Sequence, residues 1–276
     1  MIKDILACLS VGKPHDVAGD FAISVAALFQ AHLSARAMAC KLPIGGSILD
    51  GASAEFIDNW TAEREAAAAE AKKSFDERAR LADIRSDSSV VTDYVAEVAQ
   101  IFAETARHYD LSVVAQEERE NDLPESLIIE AALFESGRPV LVVPYIQKGA
   151  LTLDRVLVCW NGSPNAARAI GDAMPFLKRA KEIEVTIVLG ESGRSDEIAG
   201  ADIGEHLARH RLKVEVERLS AIKGDVTDTI LSHAADCAAD FLVMGGYGHS
   251  RLREFILGGV TRGILRTMTL PVLMSH

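Results

Sequence analysis

The sequence predicts two tandem, doubly wound α/β domains, each built on a mostly parallel five-stranded sheet. Three observations predict this fold class. The chain has 276 residues, enough for about two domains with a hydrophobic core each. Short apolar runs alternate with segments of helical periodicity, and strands separated by helices need crossover connections, which make a parallel sheet. The third observation is that the chain repeats itself.

The repeat consists of three pairs of similar segments that occur in the same order in each half. The matching segments are 3–10 with 154–161, 110–114 with 240–244, and 138–142 with 270–274. Each match alone is weak, but their common order indicates a duplication. We therefore expect an N-terminal domain over residues 1–147, a linker at 148–150 and a C-terminal domain over residues 151–276.

The elements of the second copy follow from its periodicity. Its predicted strands are 155–160, 184–189, 213–219, 241–244 and 271–274. Its predicted helices are 165–180, 195–210, 225–237, which Asp225 caps, and 261–266. The first copy fits the same order, with an added helix at roughly 52–81 that is rich in Ala, Glu and Lys.

The charge balance excludes whole classes of partner. The chain carries 29 Lys and Arg against 40 Asp and Glu, a net charge of −11 with a pI near 5.2. A nucleic-acid protein needs a basic face, and anionic membranes attract basic segments, so we expect neither partner. The acidity belongs to the first half, since residues 1–150 carry a net −10, residues 151–276 a net −1, and no glycine occurs between 52 and 136.

The sequence also predicts a cytoplasmic protein. Its first residues lack the apolar region and cleavage site of a signal peptide, and its longest apolar-rich stretch, 21–33, is shorter than the roughly 20 residues that span a bilayer. The four cysteines form no CxxC pair and sit in apolar segments, so we expect buried thiols in a reducing compartment; they are Cys8, Cys40, Cys159 and Cys237.

A glycine-rich loop follows the fourth strand of the second copy. It contains Gly245, Gly246 and Gly248, and after nine further residues Gly258 and Gly259 open the next helix. Glycines let backbone N–H groups approach an anion, and a helix N-terminus adds unpaired N–H groups. A flexible turn followed by a helix start is the alternative interpretation. The loop is neither a Walker A motif nor GxGxxG, because no Gly-Lys-Ser/Thr follows and Arg251 occupies the place of the third glycine.

The spacing of Gly245, Gly248 and Gly258 resembles the Gly-x2-Gly-x9-Gly-Ser/Thr signature of the universal stress protein family. The residues before the loop (243–244), after it (260–261) and at the closing strand (270–273) extend the likeness. With the duplication, the chain resembles a tandem universal stress protein of Rossmann-like, adenine nucleotide alpha-hydrolase-like fold.

The resemblance implies an ATP-type adenine nucleotide, with or without Mg²⁺, in the C-terminal domain. The contacts it implies are Asn161 and Gly190 at the ends of the first two strands, then Met244, Gly245, Gly248, Gly258, Gly259, Val260 and Thr261. Asn161 stands where the family has Asp, and Gly259 where it has Ser. The Asn amide still forms hydrogen bonds but without charge, and losing the Ser hydroxyl costs about 1 kcal/mol.

The first copy lacks this loop. Its equivalent segment, 115–122, contains no glycine and four carboxylates, so we expect a degenerate site that binds no nucleotide. If this segment is simply a solvated acidic loop, the conclusion is the same: the first copy binds no nucleotide. The resemblance further implies that the two fifth strands pair as an intrachain pseudo-dimer, and it leaves a homo-oligomer open.

Other combinations of residues predict no catalytic or metal site. His206 and His210 have zinc-compatible spacing without a completing ligand, and His233 and Cys237 share that spacing on what we expect is a buried helix face. Ser163 lacks a GxSxG frame. The sequence therefore favours a nucleotide-binding stress or signalling protein with at most slow ATP hydrolysis. The alternatives are an interaction module whose sites have decayed and, with least support, a hydrolase- or deaminase-like enzyme.

Overall fold

The computed structural model describes residues 1–41, 54–118, 125–189, 200–221, 225–246 and 259–276. By its contacts the chain divides into two compact units, Met1–Leu151 and Thr152–His276. In both units strands alternate with helices, and every strand pair described within a unit is parallel. The predicted α/β class is confirmed.

The first unit contains five strands and four helices among its described residues. In chain order they are β1 (Asp4–Leu9), α1 (Val17–Phe29), β2 (His32–Lys41), α2 (Ala54–Leu81), β3 (Ser86–Tyr94), α3 (Val95–Ala106), β4 (Leu111–Ala115), α4 (Glu125–Glu135) and β5 (Val140–Val143). The sheet order is β3-β2-β1-β4-β5. The helix predicted as an addition is present as α2, which has 28 residues and packs on β2 and β3. It is not an added element, because the second unit has a shorter helix at the same place, Gly200–Arg209.

The second unit repeats this arrangement. Its described elements are β6 (Arg155–Cys159), α5 (Pro164–Leu177), β7 (Glu182–Leu189), α6 (Gly200–Arg209), β8 (Val214–Ser220), α7 (Val226–Asp236), β9 (Phe241–Gly245), α8 (Gly259–Thr267) and β10 (Val272–Ser275). The sheet order is β8-β7-β6-β9-β10, which is the order of the first unit element for element. The repeat in the sequence is thus a repeat of topology.

One carboxylate fixes the start of the first strand in each unit. In the first unit, Asp110 accepts hydrogen bonds from the backbone N–H groups of residues 3 and 4 at 2.7 and 3.2 Å. In the second unit, Asp240 accepts them from residues 154 and 155 at 2.8 and 3.2 Å. These aspartates occupy matching positions of the repeat, so both copies have kept the same connection between the first and fourth strands.

The sheets are covered on both faces. Every residue of β4, β5 and β10 is buried, which requires helices above and below the strands. In the second unit the rings of Phe176 on α5 and Phe241 on β9 stack with centroids 5.0 Å apart. At the other end of the order, β8 is largely exposed, as an edge strand with alternating charges should be.

The expectation of four buried thiols is wrong for three of them. All four cysteines are free, but only Cys8 is buried, and Cys40, Cys159 and Cys237 are half-buried. The apolar segments that contain them end near these positions: Cys159 is the last residue of β6 and Cys237 caps the end of α7.

Among the described helices, none combines the length and the apolar composition that a membrane span needs.

Candidate functional site

A cavity of about 420 Å³ lies in the second unit at the carboxyl ends of its central strands. Ligands of open α/β sheets bind at this edge. The cavity is lined by Cys159, Trp160, Asn161, Ser163, Asn165, Thr186, Val188, Val226, Ile230, Met244, Gly245, Gly259, Val260 and Thr261. Six of the predicted site residues are therefore brought together: Asn161, Met244, Gly245, Gly259, Val260 and Thr261. The other three, Gly190, Gly248 and Gly258, lie outside the described residues.

Gly245, at the end of β9, is packed against the first turn of α5. A Cβ added to it would stand 2.6 Å from the backbone nitrogen of Ala166 and 2.7 Å from the carbonyl carbon of Asn165. Real Cβ contacts are essentially never this short. Glycine is thus required here so that the strand and the helix backbone can approach each other, independently of any ligand.

A side-chain hydrogen bond holds the same junction. The Nδ2 of Asn165 donates to the carbonyl of Gly246 at 2.6 Å, and the N–H of Gly246 donates to the carbonyl of Ser275 at 2.8 Å. Both polar groups of the Gly246 backbone are therefore used inside the unit. The backbone at the end of β9, next to the cavity, is therefore held in place by Asn165 and by Ser275.

Asn161 lies just after β6, at the exposed rim of the cavity. Its Oδ1 accepts a hydrogen bond from the N–H of Ser163 at 3.1 Å, and the Oγ of Ser163 accepts one from Ala166 at 3.1 Å as the N-cap of α5. This turn fixes the orientation of the Asn161 carboxamide, because its oxygen is held by the Ser163 N–H group. Its NH₂ group supplies hydrogen-bond donors at the rim.

The N-terminus of α8 faces the same cavity through its first three residues. The first N–H groups of a helix have no intrahelical partner, and the helix dipole is positive at this end. Gly259 is exposed, and a Cβ there would meet no atom of the described residues within 4 Å, while Thr261 is 4% exposed. The position where the family has Ser thus has room for that side chain.

The walls of the cavity are mostly apolar, formed by Val188, Val226, Ile230 and Met244. Cys159 also lines it, and burial raises the pKa of its thiol from 9.0 to about 12, so the thiol stays protonated at neutral pH. None of the lining residues within the described segments carries a charge. The cavity as described can enclose a flat apolar group and donate hydrogen bonds, but it presents no general base.

Sequence reasoning missed several lining residues. For the second strand it selected Gly190, whereas the described residues of β7 that line the cavity are Thr186 and Val188. It also missed Val226 and Ile230 on α7. The sequence did contain a signal for these residues. Thr186 and Val188 lie near the end of the second strand, Val226 and Ile230 follow the Asp225 cap, and both elements meet the carboxyl edge of the sheet.

The first unit has a smaller and differently charged cavity at its corresponding edge. Its volume is about 350 Å³, and Lys13 and Glu118 are among its lining residues. The Nζ of Lys13 lies 2.7 Å from Glu118 and 3.7 Å from the buried Glu125. The basic side chain at this edge is therefore neutralised by carboxylates of the chain itself.

The second unit is, by fold and site, a parallel α/β domain with a small-molecule cavity at the carboxyl edge of its sheet. The model of the universal stress protein family matches residues 152–276, which is the whole of this unit. The second unit therefore belongs to the universal stress protein family, and the resemblance carried by its glycine motif is confirmed.

Individual relatives agree with this assignment. A universal stress protein of Synechocystis sp. is 31% identical over 142 residues, which are 49% of this chain and 46% of that protein, so the match spans about half of each. The crystal structure of a universal stress protein from Archaeoglobus fulgidus superposes with a TM-score of 0.70 at 16% identity, covering 99% of this chain and 97% of that one. A protein of unknown function from Pseudomonas aeruginosa gives a TM-score of 0.64 at 15% identity, with coverages of 99% and 92%. These two likenesses are likenesses of fold.

Proposed function

We propose that the second unit binds an adenine nucleotide of the ATP type in its cavity, and that the protein acts in the cytoplasm as a stress-response or signalling protein. The observation that carries this proposal is the cavity itself. It combines apolar walls with the glycine-started N-terminus of α8, and it lies in the unit that the family model matches.

The apolar part of the cavity suits a purine ring. Val188, Val226, Ile230 and Met244 come from three different elements and surround the same space. Such ligand pockets are typically lined by apolar side chains with a few polar groups that fix orientation. Asn161 and Ser163 are polar groups of this kind at the rim, where a ribose would lie.

The phosphate end of the ligand would meet α8. The backbone N–H groups of Gly259 and Val260 belong to the first turn of that helix, where the positive end of the dipole and the N–H groups that point out of the helix stabilise anions. Gly248 and Gly258 would complete the phosphate loop. These two glycines lie outside the described residues, so their part in the proposal rests on the motif.

The same cavity supports binding without rapid chemistry. Phosphoryl transfer needs a residue that orients the nucleophile, and Mg²⁺ is commonly held by carboxylates. No carboxylate is among the described residues that line the cavity. We therefore expect at most slow ATP hydrolysis, and any Mg²⁺ to arrive on the phosphates of the nucleotide.

The first unit is expected to bind no nucleotide. At its corresponding edge Lys13 is engaged by Glu118 and lies near Glu125, so an incoming phosphate would meet carboxylates. One nucleotide per chain is the expected stoichiometry.

The test uses a matched pair of substitutions at Gly259. A side chain there meets no described residue within 4 Å, and Asp and Asn are both favourable at a helix N-terminus, so the variants Gly259→Asp and Gly259→Asn should both fold. They differ by one negative charge next to the phosphates. Isothermal titration calorimetry with ATP, ADP and AMP measures the effect. We expect the affinity for ATP to be at least tenfold lower in Gly259→Asp than in Gly259→Asn.

Two results would overturn the proposal. One is a wild-type protein that binds none of the three nucleotides, which would favour an interaction module with decayed sites. The other is equal ATP affinity in the Asp and Asn variants when circular dichroism shows both folded. Mass spectrometry of small molecules released from freshly purified protein gives an independent measurement, and an adenine nucleotide is the expected ligand.

A further inference from the structure

We propose that Glu184, His233 and Cys237 form a binding site for a zinc-type divalent cation in the second unit. Glu184 lies on β7, while His233 lies on α7 and Cys237 is its C-cap. This site is separate from the nucleotide cavity and does not rest on nucleotide binding. The expectation that His233 and Cys237 lie on a buried helix face is wrong in degree, since both are half-buried.

The three side chains converge on one point. One potential ligand atom of each residue, a carboxylate oxygen, a ring nitrogen and a sulfur, lies within 4.8 Å of the other two. The Nε2 of His233 is 2.5 Å from the Oε1 of Glu184. Ligands of tetrahedral zinc, at about 2.0–2.3 Å from the metal, stand roughly 3.3–3.6 Å apart. Movements of about 1 Å, within the range of side-chain rotations, would seat the ion.

The elements explain why these residues meet. Residues four apart on a helix share a face, so His233 and Cys237 point in the same direction from α7. α7 packs on β7, where Glu184 is only 6% exposed. A carboxylate so deeply buried needs positive charge or hydrogen bonds around it, and a cation would supply charge directly.

The carboxylate is held in place by two further residues. The Oγ1 of Thr186 donates to the Oε1 of Glu184 at 3.1 Å. The Nη1 of Arg155 lies 3.5 Å from the other oxygen, Oε2, and Arg155 also pairs with Glu182. The arginine thus engages the oxygen that faces away from His233, which leaves Oε1 directed toward the proposed ion. Such outer contacts orient the ligands of metal sites.

The donor set selects the kind of cation. Oxygen, imidazole nitrogen and thiolate sulfur together suit zinc and chemically similar transition metals, whereas Mg²⁺ and Ca²⁺ prefer oxygen alone. Burial and the charge of Glu184 raise the pKa of the Cys237 thiol. On binding, the thiol proton would leave to solvent as the metal–sulfur bond forms, and water would fill the fourth position.

The proposed ion would lie beside the cavity and not in it. Thr186 and Ile230 line the cavity. Glu184 lies two residues before Thr186 on the same strand, His233 lies one turn after Ile230 on the same helix, and neither is in the lining. His206 and His210 are the competing pair. Their rings are 4.9 Å apart and exposed, and within the described residues no thiol or carboxylate joins them at ligand distance.

Cobalt titration of the metal-free full-length protein tests the site, because Co²⁺ bound to a thiolate gives a near-ultraviolet charge-transfer band. We expect one Co²⁺ per chain with this band, displaced by Zn²⁺. Cys237→Ser should abolish the band, and His233→Gln and Glu184→Gln should each weaken binding at least tenfold. The matched controls Cys40→Ser and His210→Ala should bind as the wild type does.

A second measurement needs no variant. Zn²⁺ should raise the melting temperature of the wild-type protein and protect Cys237 from alkylation, as read by peptide mass spectrometry. The proposal is overturned if Co²⁺ gives no thiolate band, if binding survives Cys237→Ser together with His233→Gln, or if His210→Ala removes it. It is equally overturned if Zn²⁺ leaves both the alkylation of Cys237 and the melting temperature unchanged.

Discussion

Gly245 and Ala166 are in contact through their backbones, so that a Cβ on Gly245 would stand 2.6 Å from the Ala166 nitrogen. Gly245→Ala must therefore separate β9 from α5 or strain both. We expect the substitution to lower the free energy of unfolding of the second unit by about 2 kcal/mol or more, in the range of other overpacked sites. Chemical denaturation followed by circular dichroism measures this loss.

Gly259→Ala is the matched control, because a Cβ at Gly259 meets no atom within 4 Å in the part of the chain that the structure describes. We expect it to change the stability by less than about 0.5 kcal/mol, as other substitutions at open surface positions do. Equal effects of the two alanines would contradict the packing argument, since that argument depends only on the space around each glycine.

Gly245 also shows which features of the site could be predicted from the sequence and which could not. Glycines after a fourth strand predicted an anion-binding loop, and the structure places Gly245 in the cavity wall. The sequence pattern did not predict that Gly245 is needed for packing. The contact joins residues about 80 positions apart, and a local pattern does not show which distant backbone segments meet. The fold itself was predictable, since the periods of strands and helices are local and the repeat fixed their order.

Gly259→Ser should strengthen nucleotide binding. Gly259 is exposed at the start of α8, and no described residue occupies the space that the side chain needs. A hydroxyl there adds one hydrogen-bond donor toward a phosphate, worth about 1 kcal/mol or roughly a fivefold gain in affinity. Calorimetry with ATP checks it, and Gly259→Ala separates the hydroxyl from the added carbon. No gain over Gly259→Ala would mean that phosphates do not approach this turn.

Asp240 and Asp110 should make equal contributions to their own units. Each carboxylate accepts two backbone hydrogen bonds at the start of the first strand. In Asp240→Asn one of the two acceptor oxygens becomes an NH₂ group, so one donor loses its partner. In Asp110 both N–H groups donate to Oδ2, so in Asp110→Asn both hydrogen bonds can remain but lose the charge of their acceptor. We expect each variant to lose about 1–2 kcal/mol of stability. Denaturation measures the loss.

Asp154→Asn is the control for this pair. Asp154 is 65% exposed in its side chain, and its ion pair with Lys181 is at the surface, where such pairs contribute little. We expect a change below about 0.5 kcal/mol. A loss confined to Asp110→Asn or to Asp240→Asn would show that the repeated geometry does not have a repeated energetic role.

The proposed cation site shows a second limit of sequence reasoning. The i, i+4 spacing of His233 and Cys237 was visible, but Glu184, almost 50 positions earlier, was not selected with them. Their meeting depends on the packing of α7 on β7, which is a tertiary relationship. Asn161, which follows the first strand of the second unit, was easier to predict because the end of a strand is a local feature.

Asp16 is the buried acid of the first unit whose ionisation should be visible in a stability curve. It is 7% exposed and caps α1, and its Oδ1 accepts hydrogen bonds from the N–H groups of Ser10 and Gly19, both at 3.0 Å. Its Oδ2 pairs with Arg78 at 2.9 Å, and Asp20 shares that arginine. Burial raises the pKa of Asp16 above 3.8, against the opposing effect of these hydrogen bonds and of Arg78.

Because the pKa is raised on folding, the folded state holds the Asp16 proton more tightly than the unfolded chain does. Stability from this group is present below about pH 4 and is lost as the pH rises through the folded pKa. Asp16→Asn cannot ionise, so its unfolding free energy relative to wild type should increase with pH over that window. Denaturation at several pH values measures the difference, and Asp225→Asn, an exposed helix cap, controls for capping. A difference that stays flat, or falls as the pH rises, would contradict this sign, since only a raised pKa makes the charged form of Asp16 the costlier one in the folded protein.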